Sequence, residues 1–326
     1  MTSHAALCAP SELCVLRSES FEAWVLPWGA RLVQVWWLEA PEGPRPLTLG
    51  FSDPSAYRLD QMALGSTCGR YANRLQDAQI QWQGETFPLD VNHPLGHCIH
   101  GGSQGFDRVQ WQVAERKADA VTLTMTSEAG HMGFPGTCLT SLRIGWVGNA
   151  LHWHAQAQVD KPCPLNLVQH SYWNLAASGD LRGHTLEIAA QQYHPIDQRE
   201  LPLPLSSVAG TVLDFRQPRV IDPSLAAELE GALLLPENNS GEMREVAHLS
   251  VHDLRLRLAT DQPYLHLYAG AGLTPTSPPL GVVHRPAAGL CLETEAMPNG
   301  PALGAPVWYG PDQDYEHRMS WTFDTL

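Results

Sequence analysis

The 326-residue chain is short of charge, and above all of positive charge. Only 17% of its residues are charged, and 20 Lys and Arg stand against 34 Asp and Glu, for a formal charge of −14. An acidic chain with no basic run has nothing with which to neutralise phosphates, which argues against nucleic acid or an anionic membrane as partner. Long apolar runs are missing too. The stretch Trp24 to Leu38 is broken by Pro27, Gly29, Arg31 and Gln34, whereas a membrane helix needs roughly 20 apolar residues. The amino terminus has neither a basic segment nor an apolar one of the export type. The seven cysteines (8, 14, 68, 98, 138, 163 and 291) are scattered, odd in number and without a Cys-x-x-Cys. They read as buried reduced thiols, and the location expected from these features is cytoplasmic.

Several catalytic signatures are absent. There is no Walker A segment and no Gly-x-Ser-x-Gly; Gly65-Ser-Thr-Cys-Gly69 has its serine one place early. Gly270-Ala-Gly lacks the third glycine and the βαβ setting of a dinucleotide site. His93, His97 and His100, with Cys98 close by, have a metal-like spacing, but Pro94 and Gly96 make the segment a loop. His152 and His154 share one face of an expected strand and read as a surface pair.

What the chain has is breakers and alternation. Gly and Pro total 27 and 26 residues, about one in six, which favours many short elements joined by turns. Ala78 to Gln83, Val121 to Thr126, Leu151 to Val159 and Leu254 to Leu258 all alternate with period two, the pattern of a sheet with one buried face. Helical patterning is confined to Ser224–Glu230, expected as one short helix with Ser224 as N-cap. The expected fold is all-β: large antiparallel sheets, stacked, with few short helices, forming a single domain over residues 1–326.

Four segments gather polar groups in unusual company: Gly69–Leu75, Ile99–Gly102 with Gly105–Asp107 and Trp111, Pro164–Leu175, and Leu290–Glu295. In the third, a strand puts His170, Tyr172 and Asn174 on one face; an aromatic ring among donors suits a sugar, with its apolar C–H faces and hydroxyl edges. In the fourth, Glu293 ends an apolar strand, either as a surface residue or as a partly buried base. Taken alone, His170 reads better as a satisfied core histidine than as a ligand.

Together these segments resemble the aldose 1-epimerases, the galactose mutarotase family. Gly69-Arg-Tyr-Ala-Asn-Arg74, Ile99-His-Gly-Gly102, Gly133-Phe-Pro-Gly136, Asn166-Leu-Val-Gln-His-Ser-Tyr-Trp-Asn-Leu175, Gly210-Thr-Val-Leu-Asp-Phe-Arg216 and Cys291-Leu-Glu-Thr-Glu295 follow the family's motifs in order. The resemblance implies a galactose mutarotase-like β-supersandwich. It implies Glu293 as general base and His170 as general acid. It places Asn73, Arg74 and His100 at sugar-binding or charge-stabilising positions, with Tyr172 on the same sheet face as His170. The implied reaction opens and recloses the ring of a free monosaccharide, with base and acid on opposite sides of the sugar and no metal or cofactor. It requires His170 not to be depressed far below about 6.5.

The chain departs from the family at four places. Glu230 stands for a sugar-binding Asp, His266 and Glu295 each stand for a Gln, and Pro202-Leu-Pro-Leu205 replaces Pro-Thr-Gly-Glu. These changes point to an altered sugar preference with the acid–base pair retained. The alternatives are a non-catalytic sugar-binding or sensing protein on the same fold, and a sugar-phosphate epimerase. The last would need more cations than Arg70 and Arg74. The sequence leaves the oligomeric state open.

Overall fold

The computed structural model describes residues 10–238, 240–274 and 277–326. Every strand expected from alternation is present: Gln79–Trp82, Ala120–Ser127, Ala150–Val159 and Leu254–Thr260. They belong to sheets in which all paired strands run antiparallel. The largest sheet has nine strands, in the order 112–116, 120–127, 138–147, 150–159, 315–325, 254–260, 244–250, 185–188 and 219–220. A second has six, in the order 172–173, 290–295, 264–268, 230–234, 192–194 and 206–207. A four-stranded sheet is built from residues 14–46.

Side chains alternate across each strand, so each sheet has one face to bury. Leu254, Leu256 and Leu258 from the nine-stranded sheet share one apolar cluster with Leu265, Leu267, Leu290 and Leu292 from the six-stranded sheet. Trp153, Trp173 and Trp321 fill the same layer, with Trp173 and Trp321 centred 5.4 Å apart. At about 25 cal/mol per Å² of apolar surface, such layers dominate the favourable side of folding.

Only 3₁₀ turns break the strand pattern among the described residues, and none of the helices there is long and apolar enough to cross a membrane. The helix expected over Ser224–Glu230 is not formed. Instead a three-residue 3₁₀ turn, Pro223–Leu225, is capped by Asp222, whose carboxylate accepts from the Ser224 N–H at 2.9 Å. Glu230 opens the strand Glu230–Leu234. A short helix carries an unfavourable nucleus, and the ladder to Tyr264–Tyr268 draws the end of the stretch, Glu230, into a strand. The six described cysteines are free and buried; Cys8 lies outside the described residues. Burial pushes their thiols up, which keeps them protonated.

One buried ion pair ties the four-stranded sheet to a loop. Arg31 Nη1 meets Asp60 Oδ2 at 2.7 Å, and both side chains are fully buried. The guanidinium also donates to the carbonyls of Leu64 and Asp107, while Asp60 accepts from the N–H groups of Met62 and Leu64. Residues 60–64 are thereby fixed. Removing one partner strands the other charge in the core, so Asp60→Ala is expected to cost about 3–5 kcal/mol in urea denaturation.

Candidate active site

The site lies on the face of the six-stranded sheet that turns away from the apolar layer. In Leu290–Glu295 every residue is buried, yet the two faces differ in kind. Leu290, Leu292 and Thr294 point one way, and Cys291, Glu293 and Glu295 the other. Antiparallel pairing sets Glu293 beside His266, Cys291 beside Tyr268 and Tyr172, and Tyr268 beside Glu230. The register thus assembles, from four strands, a polar floor that no single segment contains.

Loops supply the walls. Asn73 and Arg74 pair with the turn that carries His100. This turn sits against the Gly69–Arg70 backbone so closely that a Cβ on Gly101 would lie 1.9 Å from the Gly69 carbonyl oxygen. The Gly-Gly after His100 is therefore a packing requirement, helped by the positive φ of both glycines. The Asp60-anchored loop adds Gln61, Met62 and Ala63, and Tyr172 Oη donates to the Met62 carbonyl at 3.0 Å.

All eight residues expected from the sequence (Asn73, Arg74, His100, His170, Tyr172, Glu230, His266 and Glu293) line one cavity of about 350 Å³. That is the small end of the range for ligand sites and fits a monosaccharide. A larger cavity of about 630 Å³ lies against the outer strands of the nine-stranded sheet, among residues such as Gln112, Thr124 and Gln156. His170 and Glu293 are not in it.

His170 Nε2 and Glu293 Oε1 are 3.5 Å apart, with both side chains almost wholly buried. The two groups therefore stand side by side at the cavity. Burial pushes His170 down to about 4, below the range that the resemblance requires of it. The same burial, with the Glu295 and Glu230 charges, pushes Glu293 well above the carboxylate range. These directions agree if the pair holds one mobile proton, because neutral acid plus neutral imidazole has the same proton count as carboxylate plus imidazolium.

The rest of the pair's surroundings are specific. His170 Nδ1 faces Cys291 Sγ at 3.5 Å, so the imidazole turns one nitrogen to a thiol and the other to the carboxylate. Cys291, His170 and Glu293 are also the group of potential cation ligands that the described residues bring together. The contact nitrogens differ, however, which suits a hydrogen-bonded chain. The His93, His97 and His100 series does not converge. His97 accepts from the Asp77 N–H and meets the Arg199 carbonyl, and only His93 and His100 reach the cavity. His152 and His154 lie on the nine-stranded sheet, where His154 pairs with Glu316 at 2.8 Å.

Two sequence expectations move. Asn174 is not with His170 and Tyr172 in the cavity; it is buried and donates to the carbonyls of Ser178 and Ala288. Arg70 is not near the site. It is fully buried and donates to the carbonyls of Ser127, Glu128, Pro135 and Gly136, pinning the Gly-Phe-Pro-Gly turn. Trp173 is in the core, so Tyr172 and Tyr268 are the cavity's aromatic rings, 6.1 Å apart and edge-on. Tyr268, Met62, Asn92 and His93 were not expected as lining residues. Tyr268 stood in the Pro-Tyr-Leu-His-Leu-Tyr segment, two residues past His266, and strand alternation could have found it. The loop residues gave no signal. Nor did Glu200, which meets Arg74 Nη2 at 2.5 Å and His93 Nε2 at 3.3 Å; Glu230 Oε1 stands 3.9 Å from the same Arg74 nitrogen.

An antiparallel supersandwich with a buried His–Glu pair in a monosaccharide-sized cavity defines a class of proteins acting on sugars, and comparison narrows it. The family model described as aldose 1-epimerase matches residues 12–322. The chain is 32% identical over 317 residues to the aldose 1-epimerase of Escherichia coli, covering 93% of this chain and 90% of that one. It is 28% identical to the galactose mutarotase of Rattus norvegicus, covering 94% and 92%. The solved galactose 1-epimerase from Lactobacillus acidophilus superposes with a TM-score of 0.83 at 28% identity, covering 96% and 95%. A GalM/aldose epimerase homologue from C. elegans reaches 0.89 at 23% identity, covering 96% and 99%. The chain belongs to the aldose 1-epimerase family.

Glu295 yields a pH prediction. Burial raises it to about 8, against donation from Asn166 and Asn73 and the charge of Arg74. A raised carboxyl keeps its proton in the native state while the unfolded chain has already lost it. Its contribution to stability is full below about pH 4.5 and disappears as pH rises to about 8. In urea denaturation, wild type is expected to lose more stability between pH 5 and pH 8 than Glu295→Gln; equal losses would remove this assignment.

Proposed function

We propose that this chain interconverts the α and β anomers of an uncharged free aldose, with Glu293 and His170 as the proton-transferring pair. In the reactive arrangement the Glu293 carboxylate takes the proton from the anomeric hydroxyl, and His170 delivers a proton to the ring oxygen. The C1–O5 bond breaks as the C1–O1 bond becomes a carbonyl. The free aldehyde rotates about C1–C2 and recloses with the proton movements reversed. The pair begins and ends with the same proton, so no cofactor enters the balance. A positioned acid or base contributes about 10²–10⁴-fold each, and holding the ring at the pair adds an orientation effect.

The observation that carries this reading is the 3.5 Å contact between the two buried groups inside a cavity of monosaccharide size. Charge supports the uncharged substrate. Glu200 and Glu230 flank a single guanidinium, that of Arg74, Glu293 lines the same cavity, and Arg70 is spent elsewhere. A phosphorylated sugar would meet net repulsion here. His100 and Arg74 stand as donors to sugar oxygens, and Tyr172 and Tyr268 offer apolar surface. Glu230 takes the position expected for an Asp, and its longer side chain moves the acceptor, which supports a changed sugar preference.

Polarimetry or NMR on freshly dissolved glucose, galactose, xylose, arabinose and fucose tests the reading. At least one anomer exchange is expected to accelerate. Glu293→Gln and His170→Asn are each expected to lower that rate at least about 100-fold with the fold intact; near-wild-type rates in both would refute the mechanism. Glu230→Asp is expected to reorder the sugars, and an unchanged order would take Glu230 out of recognition.

A further inference from the structure

His266 and Glu295 replace two amides that lie far apart along the family's motifs, and the structure makes them neighbours. Pairing of 264–268 with 290–295 sets Tyr264 beside Glu295 and His266 beside Glu293. His266 Nδ1 comes within 3.7 Å of Glu295 Oε1. Between them stands the Asn73 amide, with Nδ2 at 3.3 Å from His266 Nδ1 and 3.5 Å from Glu295 Oε1. On its other side Glu295 accepts from Asn166 Nδ2 at 3.3 Å.

The orientation of the Asn73 amide is fixed, because its Oδ1 accepts from the Arg74 N–H at 2.8 Å. The atom facing His266 is therefore the NH₂ group, which donates and cannot accept. His266 Nδ1 must then be the accepting nitrogen, and the ring proton sits on Nε2. A protonated Glu295 would also donate toward Nδ1, so the assignment survives either state of that carboxyl. Burial, with the charge of Arg74, keeps the ring neutral by pushing it down to about 3. Among the described residues Nε2 has no protein partner, although His266 lines the cavity.

We propose that His266 is a specificity residue that donates an Nε2–H hydrogen bond to one oxygen of the bound sugar, with Asn73 setting its tautomer and Glu295 anchoring Asn73. The proposal rests on the aldose reading of this cavity. Asn73 and Glu295 are positioning residues in it. A Gln at 266 could turn either its carbonyl or its amide toward the sugar, whereas the locked imidazole offers only a donor. An oxygen that serves best as an acceptor is selected, and a sugar lacking it leaves a buried donor unpaired.

Two measurements test this. In long-range ¹H–¹⁵N spectra of histidine-labelled protein, with His266→Gln used for assignment, the His266 proton is expected on Nε2. In Asn73→Asp, whose carboxylate accepts where the amide donated, it is expected on Nδ1. A wild-type proton on Nδ1 overturns the proposal whatever the activity. In kinetics, His266→Ala is expected to raise KM for the preferred sugar about 10-fold while changing kcat less than about 3-fold. Across the monodeoxy analogues of that sugar, one is expected to have the same KM in wild type and variant, which identifies the oxygen contacted. An equal penalty on the parent sugar and every analogue overturns the proposal. If wild type accelerates no sugar, the epimerase reading itself falls, and the same deoxy comparison by calorimetric binding then decides the role of His266.

Discussion

The site depends on the burial of a carboxyl group in the middle of a sheet. Glu293 shares a strand with Leu290 and Leu292, and alternation sends the leucines into the apolar layer while the carboxyl goes to the opposite face. There it is still almost fully enclosed, because the loops at 61–63, 73–74 and 92–100 roof that face. Exclusion of water raises the carboxyl and lowers His170, and the two stand 3.5 Å apart. An exposed Glu at the same register would be a plain carboxylate and a weak base.

Burying so many ionisable groups in one place is unfavourable unless each is held. The structure meets this cost with paired contacts, not with one strong ion pair. Glu295 accepts from two amides, His100 Nδ1 accepts from the Asn73 N–H at 3.4 Å, and Arg74 lies between Glu200 and Glu230. Farther out, Arg31 and Asp60 fix the loop that closes one wall. The sheet provides rigidity for the floor, and hydrogen-bonded loops provide the chemistry of the walls.

On the proposed reading such an arrangement separates reaction from recognition. The pair proposed to move the proton comes from the strand Leu290–Glu295 and from His170, which precedes the short strand Tyr172–Trp173 paired to it. The residues that depart from the family, at 230, 266 and 295, stand on the same floor but a row away, where they contact Arg74, Asn73 and each other. Under the proposed function, substitution at these places changes which hydroxyl finds a partner without moving His170 and Glu293.

Period-two alternation and the density of Gly and Pro determined the β architecture by themselves, because a strand's two faces are written locally in its own residues. The motifs and the departures from them likewise marked eight of the residues that line the cavity. Ser224–Glu230 reads as a helix in isolation and is not one; a local pattern does not contain the ladder to 264–268, which draws its last residue, Glu230, into a strand. Asn174, Arg70 and Trp173 sit in conspicuous motifs yet serve the core, because adjacency in sequence does not tell which face of which sheet a side chain reaches. Conversely, Glu200 and Gln61 carry no local mark; only loop closure brings Gln61 to the cavity and Glu200 to Arg74 and His93. That His170 and Glu293 stand side by side, that both are forced toward neutrality, and that His266, Asn73 and Glu295 form one hydrogen-bonded unit are matters of strand register and enclosure. They follow from distances and water exclusion between segments up to 222 residues apart, which tertiary structure alone decides.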